Sequence, residues 1–193
     1  MGNSVSTDDM LRQANIKLFN FGIEWYKTAN ALKGTVRKNI NYITENVLLK
    51  SHGVDDSKDV ENKNIKYNQL YTAHFSHKET VDVKDKSPVV ILHGHSQSAA
   101  NYYVVLPVLT NKLNRHVFAL DMLGCGLSTR DKWSHGFGED CDLKVAESYF
   151  VDAIEEWREK MKIEKICLVG HSMGVSTKCI LLNLYQLEIF FLT

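Results

Sequence analysis

Lys165-Ile166-Cys167-Leu168-Val169-Gly170-His171-Ser172-Met173-Gly174 is the stretch that decides how this chain folds. The apolar run 165–169 predicts a buried strand, and the second apolar stretch opening after Gly174 predicts a helix. Ser172 is left at the apex of a sharp strand-to-helix turn. Glycines flank it at 170 and 174, where strand and helix approach too closely for side chains. Such an elbow holds the serine hydroxyl above the sheet. The backbone N–H of Met173, at the start of the helix, is then placed to meet negative charge developing on a neighbouring oxygen. A bare Gly-x-Ser-x-Gly arises by chance often enough that its context has to carry the reading.

That context lies upstream. Pro88-Val89-Val90-Ile91-Leu92 reads as a buried strand running into His93-Gly94-His95, a loop of the kind that supplies the second oxyanion N–H; the candidate donor is the backbone of His95. His93 reads as a hydrogen-bonder shaping that loop, and His171 as a neighbour packing under the elbow. His116-Val117-Phe118-Ala119-Leu120 is a third strand, ending in the turn Asp121-Met122-Leu123-Gly124-Cys125-Gly126-Leu127-Ser128. Asp121 is expected to satisfy backbone donors in that turn, as short carboxylates do. Cys125 is expected to be buried rather than reactive. Three strands, each followed by a turn and then a helix or loop, predict an α/β fold with a mostly parallel sheet.

Periodicity supplies the connections. Ala146, Tyr149, Phe150, Ala153, Ile154, Trp157 and Met161 recur at helical steps, predicting a helix over 144–161. Residues 99–113 are expected to form a helix that Pro107 kinks or breaks near its middle. The stretch 69–75 alternates as a strand facing a core on one side, belonging to an antiparallel start of the sheet.

With these motifs, the chain resembles the α/β-hydrolase superfamily, and within it the α/β-hydrolase-domain 4 and 5 branch of lipid-metabolic proteins. The narrower likeness rests on Phe150-Val151-Asp152-Ala153-Ile154-Glu155-Glu156-Trp157-Arg158, on 121–128, and on the His-Gly loop; it covers about residues 66–185. The resemblance implies an α/β-hydrolase fold with flanking helices. It also implies a serine hydrolase or acyltransferase acting on lipid or lysophospholipid esters or amides, often at membranes or lipid droplets. Ser172 would be the nucleophile and His95 and Met173 the backbone oxyanion hole, with His93, Gly94, Gly170, His171, Gly174 and Asp121 building the elbow and its loops. Serine rather than aspartate at the apex favours ester, thioester or amide substrates over epoxides and haloalkanes.

In that superfamily an acid and then a histidine follow the nucleophile in chain order. Residues 173–193 contain no histidine and one carboxylate, Glu188. A chain truncated after the elbow is therefore expected, with the C-terminal strands missing and an apolar sheet edge exposed to association. Its last seven residues, 187–193, are hydrophobic and fit either one covering strand or sequence unrelated to the parent fold.

The 193 residues are 44% hydrophobic and 24% charged, a globular balance, and zero formal net charge gives no general attraction to nucleic acid. Neither a membrane-spanning run nor a secretory signal is legible. Cys125, Cys141, Cys167 and Cys179 show no metal or disulfide spacing, and no cofactor or metal is expected.

Charge is uneven, however. Residues 10–50 carry seven basic side chains against Glu24 and Glu45, interleaved with apolar residues including Trp25 and Phe19 at roughly helical steps. A basic amphipathic helix fits a membrane surface, or equally a helix packed on its own domain or on a partner. Ahead of it, Met1-Gly2-Asn3-Ser4-Val5-Ser6 matches the pattern for myristoylation at Gly2, against which Asp8 and Asp9 weigh. The expected organisation is an acylation signal and basic helix over 1–50, a polar linker over 51–64, and the N-terminal part of an α/β-hydrolase domain over 65–193. The expected address is the cytosolic face of a membrane, peripherally bound. Two functions stay open: catalysis through an acyl-enzyme on Ser172, or a non-catalytic membrane-anchored fragment binding lipid or protein through the N-terminal helix or the sheet edge.

Overall fold

In the computed structural model, residues 6–32, 40–49, 68–77, 80, 82, 86–130 and 142–177 are described. Strands β1 (Ile40–Leu49), β2 (Asn68–His77), β3 (Val89–Leu92), β4 (Val117–Leu120) and β5 (Cys167–Gly170) make one mixed sheet in the order β1-β2-β4-β3-β5. β1 and β2 pair antiparallel, as do β2 and β4, while β3 lies parallel to both β4 and β5. Every residue of β3 and β4 is buried. Their unbroken apolar runs reflect cover on both faces of the sheet.

Alternate side chains go to two cores. On one face Val90, Leu92, Phe118, Leu120 and Leu168 pack with Trp157, Ile154 and Tyr149 of helix α3 (Leu143–Lys160). On the other, Val89, Ile91, Val117, Ala119 and Phe75 pack with Phe19, Ile23 and Tyr26 of helix α1 (Thr7–Leu32) and with Leu106 of helix α2 (Val105–Leu113). Asp142 caps α3, its carboxylate accepting from the backbone N–H groups of Lys144 and Val145, which have no partner inside the helix. The fold is the expected α/β arrangement with helices on both sheet faces.

Two expectations are corrected. Residues 40–49 are not part of an amphipathic helix; they form β1, paired with β2 along all ten residues. Apolar positions 40, 43 and 47 suit a helix by spacing, but β2 offers a ladder of backbone partners and Tyr42 stacks on Phe75, ring centroids 5.2 Å apart. α1 itself is not basic, since Arg12, Lys17 and Lys27 balance Asp8, Asp9 and Glu24; the other basic residues of 10–50, Lys33, Arg37, Lys38 and Lys50, lie outside the described residues. Within the described residues α1 packs on the sheet and β1 is one of its strands. The second correction concerns 99–113. The chain forms a 3-10 turn, Ala99–Tyr102, and then α2, so the break falls ahead of Pro107. Pro107 sits in the first turn of α2, where a missing N–H leaves no hydrogen bond unmade. Residues 33–39, the linker 51–64, Gly2, Cys141, Cys179 and Glu188 lie outside the described residues.

Candidate active site

Ser172 sits between β5 and a helix that opens at Met173, with φ +52 and its side chain exposed. A left-handed backbone is strained for a residue with a Cβ and persists only where the surroundings impose it. Here they do. His171 N–H continues the sheet ladder to the Leu92 carbonyl at 3.0 Å, while Gly174 N–H and Val175 N–H turn back to His171 and Ser172 carbonyls at 2.9 and 2.8 Å. The flanking glycines are obligatory: a Cβ at Gly170 would lie 2.3 Å from the Gly174 carbonyl oxygen, and one at Gly174 would lie 2.5 Å from that of Leu92. Met173 is the first helical residue, so its N–H is among those that the helix leaves unpaired.

The loop after β3 closes on this elbow. A Cβ at Gly94 would stand 3.1 Å from the Ser172 Cβ and 2.9 Å from His171 Nδ1. His95 follows at the exposed tip of the loop, and Ser96 has φ +55. His93 is fully buried. Its Nε2 accepts from Met122 N–H at 2.9 Å, so Nδ1 carries the proton and donates to the Gly94 carbonyl at 2.7 Å. Both ring nitrogens are thereby committed to holding loops together.

Asp121 is fully buried at the end of β4. One carboxylate oxygen accepts from Ala99 N–H at 2.6 Å and the other from Leu127 N–H at 2.8 Å. Burial pushes its pKa above the usual carboxylate range, and these two bonds oppose the shift. Ser128, which sequence reading passed over, continues the network: its hydroxyl donates to the Asp121 carbonyl and accepts from Tyr71 N–H at 2.8 Å. Cys125 is half-buried, its thiol pushed up first by burial and then by the Asp121 charge, which disfavours the thiolate. Gln97 was also passed over; its side-chain oxygen meets both Gly94 N and His171 Nδ1. Nothing in the local sequence marks it, because its second partner is 74 positions away. The structure therefore brings His93, Gly94, Gly170, His171, Ser172, Met173 and Gly174 to one end of the sheet, with His95 at the tip of the same loop. Asp121 stands one strand aside as a brace. Among the described residues no cluster of three His, Cys, Asp or Glu could hold a metal ion.

The sequence pattern of the α/β hydrolase fold matches residues 87–189, more than half of the chain. The chain belongs to the α/β hydrolase fold family. Its relatives in that family include human 1-acylglycerol-3-phosphate O-acyltransferase ABHD5, 35% identical over 107 residues that make up 55% of this chain and 27% of the relative. Bovine (lyso)-N-acylphosphatidylethanolamine lipase is 33% identical over 93 residues, 48% of this chain and 25% of that one. The chain thus spans about a quarter of the length of these curated relatives, which place its likeness in the domain 4 and 5 branch. Among solved structures, a serine hydrolase from Cycloclasticus zankles superposes with TM-score 0.54 at 22% identity, covering 77% of this chain and 43% of that one. The thioesterase domain from the curacin biosynthetic pathway gives 0.51 at 19% identity, covering 76% and 42%. These superpositions show the α/β hydrolase fold.

Proposed function

We propose that this chain carries the nucleophile half of a serine hydrolase or acyltransferase acting on lipid or lysophospholipid esters or amides. Ser172 Oγ gives up its proton to a general base that the described residues do not supply and attacks the acyl carbon, and the amides of His95 and Met173 stabilise the oxyanion. Collapse of the oxyanion breaks the ester or amide bond, expelling the alcohol or amine and leaving the acyl group on Ser172. The observation that carries the reading is Ser172 itself: an exposed serine held left-handed at a strand-to-helix turn, with a glycine loop packed against its Cβ. Its relatives' names supply the substrate class, since the two enzymes acylate a lysophospholipid and cleave an N-acylated one. A fluorophosphonate probe tests the site. Covalent labelling of the folded protein that disappears in Ser172→Ala supports the reading, and folded wild type that stays unlabelled overturns it.

A second reading, a non-catalytic lipid- or protein-binding fragment, is favoured by one observation. The imidazole of His93 is spent on two loop bonds and that of His171 points Nδ1 at Gln97, so neither stands as an oriented base for Ser172. This reading predicts that Ser172→Ala leaves lipid binding unchanged.

Both readings place the protein peripherally on a membrane or lipid-droplet surface, on the cytosolic side, with myristoyl at Gly2 as one anchor. Support comes from the side of α1 turned away from the sheet, where Met10, Leu18, Phe21 and Trp25 are exposed at helical steps of one face. Among the described residues, no helix is long and apolar enough to cross a membrane. Flotation with liposomes checks the address: Phe21→Ala with Trp25→Ala, and separately Gly2→Ala, are each expected to reduce recruitment.

A further inference from the structure

The loop after β3 and the elbow after β5 are joined through a single atom, the side-chain oxygen of Gln97. Gly94 N–H meets it at 3.0 Å and His171 Nδ1 meets it at the same distance. A backbone N–H can only donate, so the Gln97 atom it faces is the carbonyl oxygen. His171 Nδ1 faces that same oxygen and must therefore carry its proton, leaving Nε2 as the acceptor. Gln97 also closes the loop on itself, its own N–H donating to the Gly94 carbonyl at 3.2 Å. The bracing spans the left-handed Ser96 and the close seat of Gly94 against Ser172.

We infer that Gln97 is a positioning residue for the oxyanion site, holding the His95 amide at a set distance from the Met173 amide by pinning the loop to His171. The inference rests on the catalytic reading above. An oxyanion hole works only when its donors are fixed before charge develops, and losing one typically lowers rate by a hundredfold or more. The two donors here come from different loops, so a link between those loops governs both. Gln97 touches neither the nucleophile nor the reacting oxygen; it acts through Gly94 and His171.

Gln97→Met keeps length and removes the acceptor, whereas Gln97→Glu keeps an oxygen in place. The tautomer of His171, read from its ring nitrogen shifts by NMR, is expected to be Nδ1–H in wild type and Gln97→Glu and to lose that preference in Gln97→Met. Fluorophosphonate labelling of Ser172 in Gln97→Met is expected to slow by roughly ten- to a hundredfold in protein that remains folded. A role confined to stability would lower the melting temperature and leave both the tautomer and the labelling rate of folded protein unchanged. Wild-type His171 in the Nε2–H form, or Gln97→Met labelled at the wild-type rate, overturns the inference. Were wild type itself not labelled, the catalytic reading would fail and the inference with it; the tautomer shift would then report only a loop-to-elbow link.

Discussion

Gly22 of α1 lies against the backbone carbonyl of Tyr103, so close that a Cβ on the glycine would stand 1.9 Å from that oxygen. The helix is thereby seated on the turn that links the 3-10 segment to α2. In an exposed helix interior, replacing glycine by alanine stabilises by about 0.5–1 kcal/mol. At position 22 the order reverses, because the obstructing atom is backbone and cannot rotate aside. Gly22→Ala is expected to lower stability by roughly 1–3 kcal/mol, measured as a fall in denaturation midpoint. An unchanged or raised midpoint would show that α1 does not dock there.

Trp157 of α3 is fully buried, and its indole N–H donates to the Thr72 hydroxyl on β2 at 3.0 Å. Thr72→Val keeps the shape and deletes the acceptor, leaving a buried donor unpaired at a cost of about 1–3 kcal/mol. Trp157→Phe together with Thr72→Val removes both partners. The double variant should therefore lose less than the sum of the single losses, which a double-mutant cycle in urea would reveal.

Both carboxylate oxygens of Asp121 accept from backbone N–H groups, so Asp121→Asn turns one acceptor into a donor facing a donor. The expected loss is roughly 2–3 kcal/mol. Ala99 and Leu127 stand on the loops beside the elbow, so their amides should exchange with solvent faster in the variant, as hydrogen exchange can report. Unaltered protection at both amides would remove Asp121 from its role as a brace.

His74 of β2 lies with Nε2 2.7 Å from His116 Nδ1 and stacks on Phe118 at 4.2 Å. Burial first, then the neighbouring imidazole, lowers its pKa to about 4. His116 is lowered too, chiefly by burial, with Asp82 acting in the opposite direction. An unfolded His74 takes up its proton near pH 6.5, while the folded one stays neutral down to about 4. The unfolded state therefore binds more protons in that window, and stability falls as pH drops from about 6.5 to about 4. The partial solvent contact of His74 trims the loss to an order of 1–3 kcal/mol. Denaturant midpoints at pH 7, 5.5 and 4 should show this slope, and His74→Phe should flatten it.

Much of the elbow was legible because its signals are local. The apolar runs at β3, β4 and β5 are continuous in sequence, and the glycines at 170 and 174 mark a close approach between residues four positions apart. β1 was not legible: its apolar spacing suits a helix as well as a strand, and the partner that settles the matter is β2, beyond a polar stretch. The break ahead of Pro107 was misplaced for a related reason. A proline excludes an inner helical position but is welcome in a first turn, and spacing alone does not say where that turn begins.

By itself, then, the amino-acid order determined the strand-turn-helix with Ser172 at its apex, the loop at His93 to His95, and the α/β alternation, since each depends on neighbours within a few residues. Only the tertiary structure decided that 40–49 joins the sheet, that His93 commits both ring nitrogens, and that Gln97 bridges Gly94 to His171. Those outcomes rest on hydrogen bonds between segments far apart in the chain, and such partners exist only once the sheet has brought their strands side by side.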